Sequence, residues 1–161
     1  AMGGVLGAVF GITSILNNTF NPSLLSFAFS PFYSLGETSG NAFSLVIALV
    51  PRILVGVIPY FVYHGIMKGL QKGTKLNIGA KKAISLPIAC LVGSAVNTLL
   101  VMNLIYIGFH EEFATAKELP LDAVYPAIMA IIFANGIPEA IVAAIIGSTV
   151  SAALLRIRKV S

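Results

Sequence analysis

The chain is short of charge. Only 10% of its 161 residues are Asp, Glu, Lys or Arg, while 57% are hydrophobic and the mean hydropathy is +0.94. A soluble domain carries about 25% charged residues, because even a small globule must cover its surface with polar groups. Lipid as the surrounding solvent accounts for the deficit directly, so the class is integral membrane protein. Cysteine is almost absent too. Cys90 stands alone in an apolar stretch, which excludes an intrachain disulfide and reads as a small core residue. The motifs of several chemistries are missing. GLQKGTK, at 69–75, lacks the spacing of a phosphate-binding GxxxxGK[ST] loop. No His/Cys cluster has metal-ligand spacing, and no Ser/His/Asp set falls in one site. The expectation is a chain that is no enzyme, holds no metal or cofactor, and hydrolyses no ATP by itself.

Four apolar stretches are present, and a bilayer core about 30 Å thick needs roughly 20 apolar residues per helix. They cover about 2–17, 42–67, 83–109 and 124–157, giving an all-α helical bundle in a single transmembrane domain over 1–161. The first begins apolar at Ala1 with no charged region before it, so it reads as a helix entered from its middle, with native sequence expected before it. The formal net charge is +4, carried largely by two basic clusters. Lys68, Lys72, Lys75, Lys81 and Lys82 form one; Arg156, Arg158 and Lys159 form the other. Two short clusters make no nucleic-acid groove, and in a membrane protein they mark the cytoplasmic side. The C-terminus is therefore expected in the cytoplasm. The acidic loop 110–122 and residues 18–41, with Glu37 as their one charge, are expected outside.

Two readings stay open for residues 18–41. Phe20, Phe27, Phe29, Phe32 and Tyr33 stand there among turn formers, either as interfacial anchors or as a lid over a pocket. The GxxxGxxxG stripe of Gly3, Gly7 and Gly11 admits a close helix neighbour, with packing inside the chain as the simpler expectation. Ala140, Ala143, Ala144 and Gly147 make a similar face on the last span.

Only Arg52 and Glu139 are charged well inside the spans. A charge at mid-membrane costs at least about 2.5–3.5 kcal/mol, so both must find a partner or a polar cavity. Either they pair with each other and fix helix register, or they point into a pocket and contact a solute. Each follows a proline, Pro51 and Pro138, and proline frees a backbone carbonyl one turn earlier, tolerable at membrane depth only where something satisfies it. Asn135-Gly136-Ile137-Pro138 reads as a hinge, with Asn135 capping a helix whose first turn holds Pro138 and Glu139. Ser94, Asn97 and Thr98 share a face of the third span; hydrogen bonds between helices are the plain reading, and Asn97 is the candidate for a ligand. Tyr60, Tyr63 and His64 read as an interfacial belt.

The succession GGVLGAVFGITSIL, NPSLLSFAFSPF, LVPRILVGVIPYFVY, GSAVNTLLVMNLIYIGF and NGIPEAIVAAII resembles the S components of energy-coupling factor (ECF) vitamin transporters. It is most similar to the pantothenate-type branch. That resemblance implies a substrate-binding subunit in a bacterial cell membrane, working with a transmembrane coupling subunit and two cytoplasmic ATPase subunits. It implies a six-helix fold of which these spans are the last four, leaving the small-residue motif on the family's first helix unlocated. Carried over residue by residue, the binding site comprises Arg52, Asn97, Asn135 and Glu139, with Phe27, Phe29 and Tyr33 in the lid. Arg52 would hold the vitamin's carboxylate, Asn97 and Asn135 its amide or hydroxyls, and Glu139 would accept from a hydroxyl or orient Arg52. The alternatives are a small ion-coupled secondary transporter and a structural membrane subunit whose buried charges serve only assembly.

Overall fold

Lipid offers backbone N–H and C=O groups no partner, so each apolar stretch must satisfy its own, and does so as helix. The structure, a computed structural model, describes residues 2–36, 38–73 and 75–160, and their side chains apart from Leu35 and residues 155–160. Glu37 and the side chains of Arg156, Arg158 and Lys159 thus lie outside the described residues. The helices are α1 (Met2–Phe20), α2 (Ala42–Gly73), α3 (Ile78–Lys117), α4 (Val124–Val142) and α5 (Ser148–Val160), with a π-helical turn, Ala143–Gly147, between the last two. Among the described residues four spans are long and apolar enough to cross a membrane, the fourth running Leu121–Leu154 through the π turn. This is an all-α, multi-pass membrane bundle. Among the described residues the one extended feature is a small antiparallel pairing of β1 (Ser34–Leu35) with β2 (Thr38–Ser39) around Gly36, whose φ of 60° suits glycine.

Each helix packs on the next in sequence, α1 on α2, α2 on α3, and α3 on α4. The glycine stripe packs within the chain. A side chain at Gly7 would meet the backbone of Arg52 and Ile53, and one at Gly11 would come within 2.8 Å of the Ala48 carbonyl.

The densest core gathers at the end of the bundle that holds residues 21–41, the segment expected as interfacial anchor or as lid; "lid end" denotes that position alone and no motion. Phe27, Ile47, Ile105, Phe109, Phe113, Val124 and Ile128 are all fully buried there. Phe27 meets Phe109 edge to face, ring centroids 5.6 Å apart, a favoured aromatic geometry. The lid segment is pinned onto this core: Ser44 Oγ donates to the Phe27 carbonyl at 2.7 Å, Ser26 Oγ to Asn18 Oδ1 at 2.7 Å, and Gly40 N to the Tyr33 carbonyl at 2.9 Å.

The connections are shorter than the sequence predicts. The loop 68–82 shrinks because α2 runs on to Gly73 and α3 begins at Ile78, where Asn77 Oδ1 accepts from Ala80 N at 2.7 Å as an N-cap. At the other end α3 kinks at Phe109 (φ −147°, ψ 30°), where the apolar span ends, yet it continues to Lys117 and stops at Glu118 in the left-handed region. The segment 110–117, expected as loop, is therefore helical; its polar side chains end the span without ending the helix. The expected hinge at 135–138 is absent too. The α4 helix runs through it, so Asn135 caps nothing and Glu139 gains nothing from a helix N-terminus. Pro138 costs one intrahelical hydrogen bond, and breaking the helix would orphan several. The departure from α geometry comes one turn later, as the π turn.

Candidate binding site

Arg52 illustrates how α2 tolerates a charge. Pro51 has no N–H to donate to the Ile47 carbonyl, and Arg52 Nη1 supplies the missing bond at 2.8 Å. Its guanidinium lies 5.0 Å from the Phe29 ring centroid and 5.9 Å from that of Phe10, a cation–π flank that offsets desolvation. Arg52 is 9% exposed, and its Nε is buried without a partner.

Beside it lies a cavity of about 440 Å³, within the size range of small-molecule sites. Phe10, which flanks Arg52, also lines this cavity, so the two regions adjoin. Val55 and Pro59 contribute from α2, Cys90, Ser94 and Asn97 from α3, and Glu139 from α4. Ala143 and Gly147, the two ends of the π turn, complete the α4 side; π turns often accompany functional sites. Asn97 Oδ1 is buried and has no partner. Glu139 Oε2 accepts from Thr98 Oγ1 at 3.0 Å, and that hydroxyl is also 3.3 Å from the Ser94 carbonyl.

The structure therefore gathers Asn97 and Glu139 in one cavity, with Arg52 and Phe29 stacked next to it. The remaining expected residues are placed differently. Asn135 is exposed on α4, one turn toward the lid end and off the cavity wall. Phe27 is fully buried in the lid-end core, and Tyr33 packs half-buried against that core. Among the described residues no ion pair joins Arg52 to Glu139. The register-fixing pair is not formed; the bond between helices runs from Thr98 to Glu139 instead. His64 is exposed, its Nδ1 2.8 Å from the Tyr60 carbonyl and its ring 4.1 Å from that of Tyr60, as a surface belt residue would be.

Five wall residues fall outside the polar and small-residue faces that the sequence marks: Phe10, Val55, Pro59, Cys90 and Gly93. Phe10 has no readable signal, since it sits off the glycine stripe on an outwardly apolar helix. Pro59 carries the same signal as Pro51, a helix-interior proline, without an adjacent charge to mark it.

No family model matches the chain, and no solved structure matches it. It is 32% identical over 157 residues to the Pantothenic acid transporter PanT of Lactococcus lactis subsp. cremoris (strain MG1363), an alignment covering 97% of this chain and 69% of that protein. With that identity and coverage, the chain belongs to the pantothenate-type S components of energy-coupling factor transporters, and is not an enzyme.

Proposed function

We propose that this chain is the substrate-specificity subunit of an ATP-driven importer, which captures pantothenate from outside the cell. It hands the vitamin on through a transmembrane coupling subunit driven by two cytoplasmic ATPase subunits. The name of the Lactococcus relative supports pantothenate as the substrate. The observation that carries the reading is a pair of orphans. Among the described residues, the buried side-chain polar atoms without a partner are Arg52 Nε and Asn97 Oδ1. One is a donor and the other an acceptor, and both stand where the family resemblance puts the site. Leaving such groups unmet costs about 1–3 kcal/mol each, so a site that keeps them awaits a ligand bearing both partners. Pantothenate offers a carboxylate to Arg52 and hydroxyls to Asn97 and Glu139. Asn135, four residues before Glu139 and on the same face of α4, is the remaining polar side chain on that approach. Phe29 and its loop serve as the lid.

Cys90 provides a direct test, being the single cysteine and a cavity wall residue. Pantothenate is expected to shield it from a maleimide in membranes holding the intact protein, at concentrations that saturate uptake. Unchanged labelling would remove the cavity from the function. Uptake that continues on an ion gradient with the ATPases inactivated would identify a secondary transporter instead.

A further inference from the structure

We propose that the first turn of α3 binds the phosphate of an anionic phospholipid, seated on Lys81 at the end of the bundle opposite the lid end. The site is separate from the cavity and independent of the pantothenate reading.

Charge is distributed unevenly along the chain. From Thr38 to Phe109 the sequence holds no Asp or Glu, yet Lys68, Lys72, Lys75, Lys81 and Lys82 all fall within that stretch. The first two lie near the end of α2 at Gly73, and the last two lie in the opening turns of α3. The helical rise sets Lys81 about 42 Å from Phe109 along α3. That exceeds the hydrocarbon core of about 30 Å and matches a bilayer with its headgroup layers, about 40–45 Å. With the lid end at one interface, Lys81 reaches the headgroups at the other.

Lys68, Lys72 and Lys75 are exposed, as members of a solvated cluster would be. Lys81 is not. It is 8% exposed, and among the described residues its ammonium makes no hydrogen bond and no ion pair. A charge held away from water calls for a partner. The backbone that carries it is fixed. Lys81 N–H donates to the Asn77 carbonyl at 3.1 Å, and the Lys81 carbonyl accepts from the buried Ser85 hydroxyl at 2.7 Å. Helical side chains lean toward the N-terminus, so Lys81 reaches back over the turn that Asn77 caps.

That turn supplies further donors. Asn77 Oδ1 takes the Ala80 N–H, which leaves the Ile78 and Gly79 N–H groups without an acceptor among the described residues. Free N–H groups at the positive end of a long helix, beside a buried lysine facing no carboxylate, suit a phosphate. Lys82 shares a face with Ile78 and Lys81 and adds a second cation. The surroundings make that phosphate a lipid's. Leu76 and Ile78 are exposed beside the lysines, and Ile84 and Ile88 continue exposed along α3 on the face of Lys81. An acyl chain would lie along that track, from which a soluble phosphate would gain nothing.

The test places the full chain in nanodiscs of equal parts phosphatidylglycerol and phosphatidylcholine with identical acyl chains, and counts retained lipids by native mass spectrometry. Phosphatidylglycerol should be retained about tenfold more than phosphatidylcholine. Lys81→Gln should remove most of that preference. Lys68→Gln, which takes the same charge from the same end, should change it by less than about twofold. Equal losses in the two variants would show a diffuse field of charge and overturn the site. Retention of both lipids alike by the unaltered chain would overturn it too. Excess inorganic phosphate should leave the phosphatidylglycerol in place; displacement would mean a site for free phosphate and not for a lipid.

A measurement on the unaltered chain stands even where Lys81→Gln fails to assemble. Replacing phosphatidylcholine discs by phosphatidylglycerol discs should slow acylation of Lys81 and Lys82 by a water-soluble succinimidyl ester about fivefold relative to Lys68. The same ratio in both lipids, or protection of all five lysines alike, overturns the proposal.

Discussion

The lid end and the cavity are built from similar helices and obey opposite rules. At the lid end, Phe27, Phe109 and Phe113 are fully buried and the polar groups of the lid are bonded, as with Ser44 and Ser26. Some turns away, the cavity keeps about 440 Å³ open and leaves Asn97 Oδ1 unmet, with Arg52 Nε unmet alongside. Dense packing with every bond satisfied gives stability, because voids and orphaned groups each cost free energy. Space and orphans are what a ligand can turn into affinity. The difference teaches how the bundle divides its packing: the lid end holds the fold, and the adjoining region keeps open space and unmet polar atoms. Phe29 joins them, set in the lid segment yet stacked on Arg52.

If this division is right, the largest loss of stability comes from the lid end. Phe109→Ala removes a fully buried ring that touches both Phe27 and Phe43. The expected cost is about 3–5 kcal/mol, read as a fall in the thermal unfolding midpoint in detergent. A loss below about 1 kcal/mol would show that the cluster is not the structural anchor.

Arg52→Ala probes the joint between the regions, and two effects should separate. Pantothenate affinity should fall by about 1.5–3 kcal/mol, the range for a hydrogen bond to a charged group. Stability should fall by a smaller amount, because the Ile47 carbonyl freed by Pro51 loses its donor. Arg52→Lys keeps the charge but not the fork, and it should recover part of the affinity at most. Stability lost with affinity untouched would make Arg52 a purely structural residue.

Much of this division was legible in the chain, and the exceptions have a physical pattern. Span number and class follow from charge and length alone, since lipid excludes ions from any segment that crosses it. Arg52, Asn97 and Glu139 could be singled out because polar atoms at membrane depth are costly wherever they sit. Their neighbours were harder. Phe10 looks like any lipid-facing residue until α1 docks on α2 through its glycines and swings the ring under Arg52. The continuity of α4 through Asn135-Gly136-Ile137-Pro138 is not legible in the chain, because turn-forming residues signal breaks reliably in water, where freed carbonyls are solvated. In lipid the helix keeps its remaining bonds. In α3 beyond Phe109 the side chains turn polar while the backbone stays helical, since a change in polarity alone does not end a helix.

Ser44→Ala tests whether the lid end depends on satisfied bonds as well as on packing. The Ser44 hydroxyl is fully buried and donates to the Phe27 carbonyl; removing it leaves that carbonyl without this donor, at about 1–3 kcal/mol. Because the bond anchors the lid segment, amide hydrogen exchange over residues 26–33 should quicken while the middle of α3 is unchanged. Equal quickening across both segments would mean that lid and bundle unfold as one unit.

Thr98→Val is the mildest change and the finest probe of the cavity. Valine keeps the volume and removes the hydroxyl that Glu139 accepts from across the α3–α4 contact. Hydrogen bonds between membrane helices average about 0.6 kcal/mol and reach about 1.7, so the loss in stability should fall in that range. The sign of the effect on affinity is more informative than its size. A Glu139 carboxylate released from Thr98 has one more acceptor site free for a ligand hydroxyl, but it is no longer held in place. If the carboxylate reads the ligand from a fixed position, pantothenate affinity falls severalfold despite the added acceptor capacity, and the falling dissociation rate expected of a better-met acceptor is not seen. Affinity that rises instead would place Glu139 among groups that adapt to the ligand, and would make the cavity soft where the lid end is rigid.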